Sequence, residues 1–133
     1  MKPGTYYVGD LCYVMTDEEY KELCSIIIKG NKVINGELQL KDGRQFAIYS
    51  TMHGDGVYYD SFGHSYSVDS GSIGCILVED IKAHKYENIL DLGAILDFNT
   101  EFVTGGGKGD KDWEGTIQFG YVAIETDSQY EYD

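Results

Sequence analysis

Positive charge is what this chain has least of. Ten lysines and arginines face twenty-three aspartates and glutamates, a formal charge of −13 near neutral pH. A surface that negative repels phosphates, and nucleic-acid binding rests on Lys and Arg neutralising them, so no direct contact with DNA or RNA is expected. The shortage is uneven. Between Gln45 and Ile81 no Lys or Arg occurs, and the stretch from Gly109 to Asp133 holds only Lys111. Proline occurs once and tryptophan once, against 17 glycines. Glycine reaches positive φ at no steric cost, so this balance predicts short strands joined by tight turns, with few helices. The three cysteines, Cys12, Cys24 and Cys75, form an odd set without close spacing. That pattern argues against a disulfide framework or a zinc knuckle and reads as reduced thiols packed as small apolar groups. No apolar run approaches bilayer length, and the opening Met1-Lys2-Pro3-Gly4-Thr5 has no basic patch followed by an apolar stretch. The expectation is a chain neither exported by a visible signal nor inserted in a membrane.

Apolar residues nevertheless make up 42% of the 133 residues and aromatics 14%, with twelve tyrosines. A chain of this size buries roughly two-thirds of its unfolded surface in one core, so a single domain is expected.

The pattern predicts an α+β, mainly β fold: one twisted, largely antiparallel sheet or partly open barrel with a single N-terminal helix, about 17–29, packed on it. Thr5-Tyr6-Tyr7-Val8 is β-branched and aromatic, broken by Gly9-Asp10, and Cys12-Tyr13-Val14-Met15 reads as a second short strand or extended lead-in. Thr16-Asp17-Glu18-Glu19 has the form of a capping box. Beyond it Tyr20, Leu23, Cys24 and Ile27 recur at helical spacing, and Gly30 is the natural stop. Asn35-Gly36 between Val33-Ile34 and Glu37–Leu40 reads as a hairpin turn, as does Asp42-Gly43 before Arg44–Tyr49. Val57-Tyr58-Tyr59 and His64–Val68 flank a further turn at Ser61-Phe62-Gly63. Ile73–Val78 lacks alternation, the mark of a central strand covered on both faces. Ile81–Ile89 is ambiguous, and Ile95–Phe98 is a further strand. Thr104–Asp110 is too rich in glycine for regular structure and reads as a flexible hairpin loop, ahead of one long closing strand, Thr116–Ile124. Residues 128–133 read as a frayed acidic tail.

The densest polar run spans His53 to Asp69. His53, Asp55, Asp60, His64 and Asp69 are candidate ligands for a divalent metal, although neither a zincin helix nor an EF-hand spacing is present. The competing reading, which we prefer, is turn chemistry, because tight loops require Asp and Gly. Tyr58, Tyr59 and Tyr66 are candidate stacking residues for a nucleotide-like ligand, which would need a cation such as Arg44 or Lys108 from elsewhere. Asp55, Asp60, Asp69, Glu79, Asp80, Asp110, Asp112 and Glu114 form the candidate acidic binding surface. No nucleophile with a partnered base is recognisable, and Gly105-Gly106-Gly107-Lys108-Gly109 lacks the Gly-Lys-Ser/Thr ending of a phosphate loop. Trp113, between two acids, is expected at the edge of a core. No cofactor is expected, and the pattern sets no oligomeric state.

The opening Gly4-Thr5-Tyr6-Tyr7-Val8-Gly9-Asp10-Leu11-Cys12-Tyr13, the middle Gly54-Asp55-Gly56-Val57-Tyr58 with Asp69-Ser70-Gly71-Ser72-Ile73-Gly74, and the end Gly115–Gly120 resemble an uncharacterised family of small phage and prophage proteins. The resemblance implies a phage-encoded protein acting in the host cytoplasm and implies no reaction. Three functions follow as expectations. The first is a non-enzymatic inhibitor of a host defence protein that occupies a basic or nucleic-acid-binding surface. The second is a small-molecule sponge or metal-dependent hydrolase using residues 53–69, and the third a virion component.

Overall fold

The computed structural model describes residues 1–81, 92–109 and 114–126. Its strands separate into two five-stranded antiparallel sheets. Gly4–Gly9 (β1), Gly36–Gln39 (β4), Gln45–Ser50 (β5), Ser72–Leu77 (β8) and Ala94–Phe98 (β9) make the first, in the order β4-β5-β8-β1-β9. Gly56–Asp60 (β6), Ser65–Val68 (β7), Thr104–Gly106 (β10), Thr116–Phe119 (β11) and Val122–Glu125 (β12) make the second, in the order β10-β11-β12-β6-β7. A short hairpin pairs Ile28–Lys29 (β2) with Lys32–Val33 (β3), directly after the helix Asp17–Ile27 (α1).

Alternation along the strands of the first sheet explains the layering. Tyr6 and Val8 of β1, with Ile73, Cys75 and Leu77 of β8, share a core with Tyr58, Tyr66, Val68, Ile117, Phe119 and Ile124 of the second sheet. Tyr7 and Ile76, one position out of phase, point the other way and join Phe46, Ile48, Leu11 and Met15 beneath Leu23 and Ile27 of α1. With period two, a strand enclosed on both sides must be apolar throughout, and all six residues of β8 are buried. The mainly β architecture with the helix α1 packed on it, expected from sequence, is therefore present; among the described residues the strands are shared between two stacked sheets and form no closed barrel.

Helix α1 begins as the sequence indicates. The Glu19 amide donates to Thr16 Oγ1 at 3.1 Å, and the Thr16 amide donates to Glu19 Oε1 at 2.8 Å. It ends two residues earlier than expected, because Ile28 and Lys29 leave it to pair with Val33 and Lys32 around Gly30-Asn31. The Asn35-Gly36 turn is consequently displaced. Asn35 Oδ1 instead accepts the Ser50 amide at 3.2 Å and its hydroxyl at 3.3 Å, fastening the edge of β4 to the end of β5.

Three further expectations change. Cys12–Met15 is not a strand, since Leu11–Tyr13 form a single 3-10 turn capped by Asp10. Thr104–Gly106 is not a loop but β10, and its glycine serves close approach: a Cβ on Gly106 would lie 1.7 Å from the Thr116 carbonyl oxygen. The long closing strand is a hairpin, with β11 and β12 turning at Gly120-Tyr121 and Gly120 at φ 58. The hairpins at Asp42-Gly43 and Ser61–His64 form as expected. Most of Ile81–Ile89, together with Trp113 and the tail at 128–133, lies outside the described residues.

Candidate functional site

The turn between β6 and β7 is organised around one carboxylate. Asp60 Oδ1 accepts the amides of Phe62 at 2.8 Å and His64 at 3.0 Å, while Oδ2 accepts the Tyr66 hydroxyl at 2.7 Å and faces His64 Nδ1 at 2.7 Å. Burial alone would raise the pKa of this carboxyl, but the donors outweigh it and the net shift is downward. Tyr66 is pushed up by burial and by Asp60. The Asp60 side chain is fully buried, so it is not part of an exposed acidic surface, and both of its oxygens are engaged by donors of its own hairpin. Tyr58 and Tyr66 sit in the inter-sheet core and present no ring to a ligand; of the three candidate stacking residues only Tyr59 reaches solvent. His53, Asp55 and Asp69 are exposed, and among the described residues no group of three or more His, Cys, Asp or Glu is placed to hold a metal ion. Within this segment Asp60 serves its turn, holding the Phe62 and His64 amides.

The remaining acids divide into separate groups. Asp55 and Asp69 share the surroundings of Tyr13, whose pKa is raised first by burial and then by Asp69, Cys12, Asp10 and Asp55. Bonded to the Asp69 amide is a residue that sequence reasoning treats only as a strand breaker. Asp10 is fully buried and accepts the Cys12 amide at 3.0 Å, the Asp69 and Ser70 amides at 2.7 Å each, and the Ser70 hydroxyl at 2.7 Å. Glu79 and Asp80 lie beyond the far end of β8, about 20 Å away for a six-residue strand. There Arg44 donates to the Asp80 carbonyl at 3.1 Å and pairs with Glu19 and Asp42. Glu114 accepts the Gly109 amide at 2.7 Å. Asp110 and Asp112 lie outside the described residues. The six candidate acids among the described residues thus do not assemble into one patch.

A different acidic surface forms where the two sheets meet at β9 and the β11–β12 turn. A cleft of about 820 Å³ is lined by Phe98, Phe102, Val103 and Tyr121, with Glu37, Asp97 and Glu101 among its other walls and, among the described residues, no Lys or Arg side chain. Its rings form a chain from core to solvent. Phe102 stacks on Phe98 with centroids 3.9 Å apart, Phe98 meets Tyr121 at 5.2 Å, and Tyr121 meets Phe62 edge-on at 6.0 Å. The inner two are buried, whereas Tyr121 is 57% exposed, Phe62 62% and Val103 77%. Large apolar groups held together in water are unusual for a closed surface and mark contact sites. The Tyr121 hydroxyl donates to the Asp97 carbonyl at 3.2 Å, and Asp60 holds the Phe62 amide, so both exposed rings stand on fixed backbone.

Sequence reasoning passed over Glu37, Asp97, Glu101 and Tyr121. They come from three separate stretches of the chain, Glu37, 97–103 and 120–121, and the strand expected over Thr116–Ile124 is interrupted at Tyr121, which occupies a turn. The one available signal was the pair of exposed turn aromatics, Phe62 and Tyr121, each beside a glycine.

A second cleft, of about 690 Å³, brings Lys108 together with His53, Asn31, Asn35 and Ser50, and none of the three candidate stacking tyrosines lines it. No described helix is long and apolar enough to cross a membrane. Comparison of the chain with protein-family models, with curated proteins and with solved structures gives no match.

Proposed function

We propose that this chain is a non-enzymatic acidic binding protein, encoded by a phage and acting in the host cytoplasm, that inhibits a host defence protein by occupying a basic, nucleic-acid-binding surface. The observation that carries the reading is the cleft with three carboxylates and, among the described residues, no Lys or Arg side chain, set beside the exposed Tyr121, Phe62 and Val103. Apolar rings supply contact area at the centre of an interface, and carboxylates around them select a positively charged partner and exclude phosphate. The formal charge of −13 would steer such a partner from a distance. The phage setting rests on the resemblance of the opening and the Gly-Asp-Gly-x-Tyr segment. The small-molecule alternative draws on the Lys108 cleft, which combines one lysine with His53 but brings no candidate stacking tyrosine.

Affinity capture from bacterial lysate tests the reading. A basic protein should be retained at low ionic strength, eluted by raised salt, displaced by competing DNA, and lost when Phe62→Ala and Tyr121→Ala are combined. Retention indifferent to salt, DNA and both substitutions would remove it.

A further inference from the structure

The same cleft has a chemistry more specific than negative charge. Resting on the binding reading above, we infer that it receives a guanidinium group, an arginine side chain presented by the partner, with Asp97 and Glu101 as acceptors and Tyr121 as the ring against which the plane lies.

The carboxylates differ in what they still have to offer. Glu37 is engaged twice, accepting the Thr104 hydroxyl at 2.9 Å and lying 3.5 Å from the Met1 amino group. Asp97 accepts the Thr5 hydroxyl through Oδ1 at 2.5 Å, and its other oxygen has no hydrogen-bond partner among the described residues. Glu101 is exposed and has neither a hydrogen bond nor an ion pair among them. Two carboxylates on the walls of one cleft therefore keep open acceptor positions. The Met1 amino group also donates to the Phe102 carbonyl at 2.8 Å, so this cation is spent on Glu37 and that carbonyl and not on Asp97 or Glu101.

The rest of the lining decides between the two biological cations. An ammonium is compact and strongly hydrated, and it loses much of its hydration against Phe98, Phe102, Val103 and Tyr121. A guanidinium is flat and weakly hydrated, stacks on aromatic faces, and carries five donors in a fork that can reach two carboxylates at once. Tyr121 offers an exposed ring whose position is set by its hydroxyl bond to Asp97. The aliphatic stem of an arginine would lie along Val103, leaving Phe62, beyond Tyr121, to contact neighbouring residues of the partner.

The purified full chain can be titrated with N-acetyl-arginine amide and N-acetyl-lysine amide at equal ionic strength, with side-chain resonances followed by NMR. Saturable shifts at Tyr121, Asp97 and Glu101 with the arginine compound, about tenfold tighter than with the lysine compound, are expected. Glu101→Gln and Tyr121→Leu should each weaken binding about fivefold or more at unchanged melting temperature, while Glu79→Gln, removing an equal charge elsewhere, should leave it unchanged. Equal responses to the two cations, or shifts spread over all acidic residues, would overturn the inference. If arginine binds in the cleft but no basic host protein is captured, the cleft chemistry stands and the inhibitor reading falls. If a host protein is captured in a Tyr121-dependent way but the arginine compound does not bind, the guanidinium inference falls alone.

Discussion

Asp10 accepts both the amide and the hydroxyl of Ser70, each at 2.7 Å, across sixty residues of sequence. With the Asp69 and Cys12 amides also bound to it, this one carboxylate ties the end of β1 to the turn between β7 and β8, joining the two sheets. Asp10→Ala leaves three part-buried backbone amides without their acceptor and empties a buried position, which should cost about 2 kcal/mol, a large part of a typical domain's stability. Chemical denaturation compares the two, and a midpoint within error of the parent would show the node to be dispensable.

Gly106 and Gly105 make a controlled pair. A Cβ at Gly106 meets the Thr116 carbonyl oxygen on the neighbouring strand, and the residue has φ 97; a Cβ at Gly105 meets nothing within 4 Å. Gly106→Ala should destabilise by more than about 3 kcal/mol or prevent folding, while Gly105→Ala should stay within about 1 kcal/mol. Similar melting curves for the two variants would contradict the pairing of β10 with β11.

Acid should weaken the fold through Asp60 and Glu19. Burial raises the pKa of each, but the hydrogen bonds from Tyr66 and His64 to Asp60, and from Thr16 and Arg44 to Glu19, hold both below their ordinary values of 3.8 and 4.5. Their contribution is therefore complete above the ordinary carboxylate range and disappears as pH falls through the lowered values. Asp60→Asn should melt below the parent at pH 7, and the gap should close toward pH 3. A gap that is constant with pH would mean that the charge of Asp60 contributes nothing.

Asp80 has the opposite sign. Burial and then Glu79 raise its pKa, against weaker opposing effects of Lys2 and Arg44. Its charge thus works against folding above the raised value, and that cost vanishes as pH falls below the ordinary one. Asp80→Asn should raise the melting temperature at pH 7 and lose the advantage in acid. The Arg44 bond to the Asp80 backbone carbonyl is kept in the variant, so a lowered melting temperature at pH 7 would show the side chain to be stabilising.

Much of the fold was legible because it depends on neighbours in sequence. The capping box at Thr16 and Glu19, the apolar spacing of Leu23 and Ile27, the Asp42-Gly43 turn and the unalternating run Ile73–Leu77 of β8 all act within a few residues. The errors fell where a distant contact overrode a local preference. Asn35 has the chemistry of a turn, but Ser50 offers its side chain better partners; the glycines of β10 look like a loop until Thr116 is placed against them.

Composition and short-range pattern by themselves determined the negative charge, the mainly β class, the N-terminal helix and the doubly covered strand, since charge sums without geometry and periodicity is read along one segment. Only the tertiary structure decided which acids are exposed together. Asp60 resembles Asp55 and Asp69 in sequence yet is consumed by its own turn, while Asp97, Glu101 and Tyr121, drawn from separate strands and loops, share one cleft. A carboxylate's use depends on whether donors from elsewhere in the chain reach it first, and those donors are set by how the sheets stack.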